Sequence, residues 1–170
     1  MTIQSETRLI FNIRFWLIIF MAGMVISGLT AFPIETQLAL LVNHINLVPP
    51  FLRSWIQEVF AAVKTTNENY PFLSYGTDWL AFAHLVIAIA FIGPYRNPVK
   101  NIWVVEFGMI ACISVIPLAL IAGAIREIPF YWRLIDCSFG VLGIIPLYLC
   151  RRYIKQLEQI LLRESVSYIN

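Results

Sequence analysis

Between Arg14 and Glu35 the chain runs for twenty residues without a charge, FWLIIFMAGMVISGLTAFPI, and three comparable stretches follow. About 20 apolar residues rising about 1.5 Å each match the thickness of a hydrocarbon core of about 30 Å. Four such spans in 170 residues leave little chain for anything else. The sequence therefore predicts an all-α integral membrane protein. It is read as a four-transmembrane-helix bundle forming one membrane domain over 1–170, with spans at about 15–34, 79–95, 101–125 and 134–150. An outer helical connection fills 36–77, and 151–170 forms a cytoplasmic tail.

Composition agrees with this class. Hydrophobic residues make up 59% of the chain and charged residues 13%, against about 45–50% and about 25% in soluble domains. A net charge of +2 with no basic stripe excludes nucleic acid as a partner. Arg8 and Arg14 precede the first apolar run as they would in a signal peptide. That run exceeds the usual apolar region of about 7–15 residues, so it is read as a retained span. Cys112, Cys137 and Cys150 lack a C-x-x-C spacing and read as small buried hydrophobes.

Orientation follows from the basic residues. Arg8, Arg14, Arg96, Lys100, Arg151, Arg152, Lys155 and Arg163 lie on one side of the predicted spans, against Arg53, Lys64, Arg126 and Arg133 on the other. Eight against four places both termini in the cytoplasm. Arg151, Arg152 and Lys155 form a juxtamembrane cluster suited to anionic headgroups. Acidic residues lean outward, with Glu35, Glu58, Glu68, Asp78, Glu127 and Asp136 on the outer side.

Two amphipathic patterns occupy the connection between the first two spans. Leu38, Leu41, Val42, Ile45 and Val48 recur at helical spacing, as do Leu52, Trp55, Ile56, Val59, Phe60 and Val63 after Pro49-Pro50. Such helices lie in the membrane interface or cap a bundle. The segment KTTNENYP, 64–71, reads as a polar turn. Pro117 and Pro146 fall inside the third and fourth spans, where each removes a backbone hydrogen bond.

Ionisable groups at membrane depth are expensive and are candidates for function. His84, Asp136, Glu35 and Asp78 fall near one outer level and form the candidate polar site, a proton relay or cation site by residue type. The alternative for His84 is a single interhelical hydrogen bond. No close ligand pair such as H-x-x-x-H is present, so no metal is assigned, and catalytic residues stay unassigned. Glu106 is a secondary candidate, with Arg96 or Arg14 as the expected ion-pair partner. Arg133 and Asp136, spaced i, i+3, are placed for a same-face ion pair. His44 is the only histidine besides His84, so a b-type cytochrome would need both as axial ligands.

No G-x-S-x-G, H-E-x-x-H, Walker loop or zinc spacing occurs. The expected function is binding of a lipid or small amphiphile, or service as a membrane subunit. The alternative is an enzyme acting on a lipid-like substrate through His84 and an outer carboxylate. No cofactor is predicted. Expected partners are membrane lipids, with a homo-oligomer or a partner membrane subunit as further possibilities.

Overall fold

A computed structural model describes residues 3–167, in which all regular structure is helical. The helices are α1 (Ile3–Ala31), α2 (Ile34–Asn43), α3 (Pro50–Asn69), α4 (Pro71–Ala90), α5 (Ile92–Arg96), α6 (Ile102–Ile125) and α7 (Phe130–Ser167), with a 3-10 turn at Ile45–Leu47. Four segments are long and apolar enough to cross a membrane: Ser5–Ala31, Pro71–Arg96, Ile102–Ile125 and Phe130–Ser165. Their apolar faces stay uncovered by the chain itself. Ile110, Ile121 and Leu142 are 64%, 63% and 62% exposed, which fits a surrounding solvent as apolar as the side chains.

Prolines set most of the boundaries, because proline cannot donate a backbone hydrogen bond and disfavours the helical conformation in the residue before it. Pro33 separates α1 from α2 and starts the latter, its carbonyl accepting from the Gln37 amide at 3.0 Å. Val48 and Pro49 are extended ahead of Pro50, the first residue of α3. Tyr70 breaks the chain before Pro71 opens α4. The Pro129 carbonyl accepts from Trp132 and Arg133 at the start of α7.

Three expectations change in extent. The first helix begins at Ile3 rather than near 15 and stops at Ala31, so Glu35 belongs to the first turn of α2. The polar stretch from 64 is not a turn. It continues α3 to Asn69, because nothing before Tyr70-Pro71 interrupts its backbone hydrogen bonds. Likewise no boundary separates span from tail in α7, which runs unbroken past Arg151.

The chain divides into two compact units, Met1–Ala22 with Ile89–Asn170, and Gly23–Ala88. In the first, α6 and α7 run antiparallel. Moving along α6 from Glu106 through Gly108 and Cys112 to Gly123, the α7 residues met are Arg151, Leu147, Gly140 and Arg133. Small residues permit this approach. A Cβ at Gly108 would lie 2.7 Å from Phe91 Cζ and 2.9 Å from Leu147 Cδ1, and one at Gly140 would collide with the Cys112 carbonyl. Phe91 is fully buried against Phe20, their ring centroids 4.7 Å apart, with Ile13, Leu17, Val105, Leu147, Cys150 and Ile154 also buried.

The turn after α6 closes in a Schellman arrangement. Ile128 N–H reaches Gly123 O at 2.9 Å and Glu127 N–H reaches Ala124 O at 3.2 Å, with Glu127 left-handed at φ 57°. In the second unit, α1 meets α4 where Gly28 lies against the Ala81 carbonyl and the side chains of His84 and Leu85. There α2 packs on α3 with Val48 and Ile56 buried, and Arg53 holds the intervening turn. Its Nε donates to Val48 O at 2.8 Å and its Nη2 to Asn46 O at 3.1 Å.

Candidate functional site

In the Gly23–Ala88 unit, α2, α3 and α4 enclose an open cleft of about 220 Å³. Ile34, Ala62, Val63 and Leu73 give it apolar walls, while Thr66, Ser74 and Thr77 place three hydroxyls on its surface. Helical periodicity accounts for the grouping. Val63 and Thr66 sit on neighbouring turns of one α3 face, and Ser74 and Thr77 do so on α4.

A hydrogen-bonded chain ties this wall to a carboxylate. Ser74 Oγ donates to Asn67 Oδ1, and Asn67 Nδ2 donates to Glu35 Oε2 at 2.5 Å. Three helices are thereby linked through side chains half-buried at their ends. The chemistry of the link is directional. An amide has no proton-accepting nitrogen at ordinary pH, so Asn67 cannot take the Ser74 proton. A serine nucleophile needs such an acceptor. The arrangement therefore orients groups for binding: Ser74 spends its one O–H on Asn67 and leaves its lone pairs to accept from a ligand. Among the described residues Thr66 and Thr77 make no side-chain hydrogen bond, so their hydroxyls remain donors or acceptors at the cleft.

No family model matches the chain, nor does any curated protein or solved structure. Its chemistry is read from its own residues.

The four residues of the predicted polar site are not joined by hydrogen bonds. Asp136 belongs to the Ile89–Asn170 part of the chain, whereas Glu35, Asp78 and His84 lie in Gly23–Ala88. His84 is half-buried on α4, and its Nδ1 meets Leu80 O at 2.8 Å, four residues back in the same helix. A carbonyl only accepts, so this nitrogen carries the proton and Nε2 is left open. The expected interhelical bond is replaced by an intrahelical one. His44 does the same with Leu40 O at 3.0 Å, on an exposed turn. Asp78 is half-buried and has no hydrogen bond or ion pair among the described residues.

Glu106 pairs with Arg151, Nε to Oε1 at 2.8 Å, and not with Arg96 or Arg14. The antiparallel register of α6 and α7 brings it there, while Arg14 stacks over Tyr95 at 5.2 Å. Arg133 does not pair with Asp136 either. It lies along the gap left by Gly123, donates to Leu120 O at 3.3 Å and covers the Phe130 ring at 5.3 Å. The juxtamembrane cluster is largely neutralised within the chain, Arg151 by Glu106 and Lys155 by Glu158 at 2.9 Å, leaving Arg152 exposed. Among the described residues no three His, Cys, Asp or Glu side chains group as a metal site, and all three cysteines are free.

Sequence reasoning passed over Thr66, Asn67, Ser74 and Thr77. A signal existed. The apolar stripe through Val59 and Val63 continues at helical spacing into Thr66 and Asn67, polar residues on an otherwise apolar face. Reading 64–71 as a turn concealed it.

Proposed function

We propose that the protein is a multi-pass membrane protein that binds a lipid or small amphiphile in the cleft of its Gly23–Ala88 unit. The observation supporting this is one surface that carries both apolar walls and three hydroxyls, that of Ser74 oriented by its hydrogen bond to Asn67. Amphiphile sites combine the two in this way, a mainly hydrophobic lining with a few placed polar groups. The volume of about 220 Å³ is below the usual about 300–1,000 Å³ of sites that enclose a whole ligand. The cleft suits a polar head and the first part of its chain, with the remainder in the bilayer. In this reading α2 and α3 lie in the membrane interface, and the exposed Leu47 of the turn between them and Phe51 at the start of α3 dip into the headgroup region. Both termini face the cytoplasm, from the bias of basic residues.

The test uses protein extracted with its native lipids and weighed intact by native mass spectrometry. A small bound amphiphile is expected on the wild type and missing from Ala62→Phe, whose ring fills the cleft from an exposed position on α3. Equal occupancy in both sinks the proposal. Orientation is tested separately by labelling single cysteines placed at Arg53 and at Lys100 in intact cells; label at position 100 alone would reverse the assignment.

A further inference from the structure

The two faces of α6 differ in kind. One, through Gly108, Cys112 and Gly123, packs on α7. The other carries Ile110, Ser114, Pro117, Leu118 and Ile121 at helical spacing, and all five are exposed.

Two polar groups on that apolar face are left unmatched by the chain. Ser114 stands midway between Ile102 and Ile125, and among the described residues its hydroxyl makes no hydrogen bond. Thr30 and Ser138, hydroxyls of other apolar spans, turn back instead and donate to carbonyls of their own helices. Beside Ser114, Pro117 lacks the amide that would bond to the Ile113 carbonyl four residues earlier. Ile113 and Pro117 are both exposed.

Depth decides what can serve these groups. At the ends of a span water and headgroups do so, whereas hydrocarbon at its middle offers neither donor nor acceptor. An unmatched hydroxyl and carbonyl there are held at a cost that matching groups remove. A donor and an acceptor one residue apart also make the face complementary to itself. Copies of one membrane protein share one orientation, so two α6 helices meet in parallel with position 114 at a single depth. A twofold axis between them lets each Ser114 hydroxyl donate to the partner's Ile113 carbonyl. No charged side chain lies on α6 between Glu106 and Arg126 to oppose this approach, and serine is small enough to permit it.

We infer that the protein is a homodimer whose two copies pack along this face of α6, joined at mid-membrane by two reciprocal hydrogen bonds from Ser114. The inference rests on α6 crossing the membrane. It is independent of the amphiphile reading, whose cleft belongs to α2, α3 and α4.

The test places the full chain, carrying one fluorophore, in phosphatidylcholine vesicles and counts copies per particle by single-molecule photobleaching over a range of protein-to-lipid ratios. A dimer fraction that rises with density is expected for the wild type. Ser114→Ala removes the donor, and Pro117→Ala returns an amide to the Ile113 carbonyl. Each should weaken the dimer about tenfold, which corresponds to about 1.4 kcal/mol. Copies distributed by chance at every density overturn the inference, as does a dimer that either variant leaves as strong as before. A second measurement keeps both groups intact. A photocrosslinking residue placed at Leu118 should join two copies, and one placed at the exposed Leu142 of α7 should not. Equal joining from the two positions, or joining from position 142 alone, overturns the α6 interface.

Discussion

Asn67 of α3 donates its side-chain amide to the carboxylate of Glu35 on α2, across 32 positions of sequence. With Ser74 on its other side, Asn67 is the middle of a chain linking three helices at the cleft. Replacement by Leu keeps the branched shape but leaves the carboxylate and the hydroxyl without the amide that joins them. Asn67→Leu should lower stability by about 1–3 kcal/mol and weaken amphiphile binding. Thermal unfolding and native mass spectrometry check both effects, and unchanged occupancy would remove Asn67 from the site.

Glu127 occupies the left-handed position that closes α6, at φ 57°. Side chains there carry a penalty of about 1–2 kcal/mol that glycine avoids. Part of the gain is offset by the larger freedom of glycine in the unfolded chain. Glu127→Gly should therefore stabilise the protein by about 0.5–1 kcal/mol, read as a higher unfolding temperature.

Glycines separate into crowded and open positions. Gly140 faces the Cys112 backbone, whereas a Cβ at Gly76 would meet nothing within 4 Å. Gly140→Ala must push α6 and α7 apart and should cost about 1–3 kcal/mol. Gly76→Ala, within α4, should be neutral or stabilising by up to about 1 kcal/mol. Parallel thermal melts of the two variants test the contrast.

The ion pair of Glu106 and Arg151 is well formed at 2.8 Å, yet both side chains remain about 40% exposed, at 40% and 42%. Solvent screens such a pair. A double-mutant cycle with Glu106→Gln and Arg151→Met should give a coupling of about 1 kcal/mol or less, shrinking as salt is raised. A larger, salt-insensitive coupling would show that the pair is drier than its exposure indicates.

Arg53 clamps the turn between α2 and α3 through two carbonyls. Arg53→Met keeps the aliphatic stem and removes both donors. Amide exchange should accelerate at residues 45–48, with little change in α6. Protection that stays equal there would mean that burial of Val48 alone holds the turn.

The sequence by itself determined the helical class and the four apolar segments. Uninterrupted apolar length is a local property, and prolines at 33, 50 and 71 mark helix ends through their own backbone chemistry. It also supplied Glu35 and Asp78 as polar groups of interest, since charge beside an apolar span is visible without a fold. The partners were decided only by tertiary structure. Glu106 finds Arg151 because antiparallel helices align residues 45 positions apart, and Arg133 turns to Leu120 because Gly123 leaves it room. Hydrogen-bond partners on different helices depend on register and on where small residues admit close approach. Neither is written in the local pattern around Asn67, whose significance appears once α2 and α4 flank it.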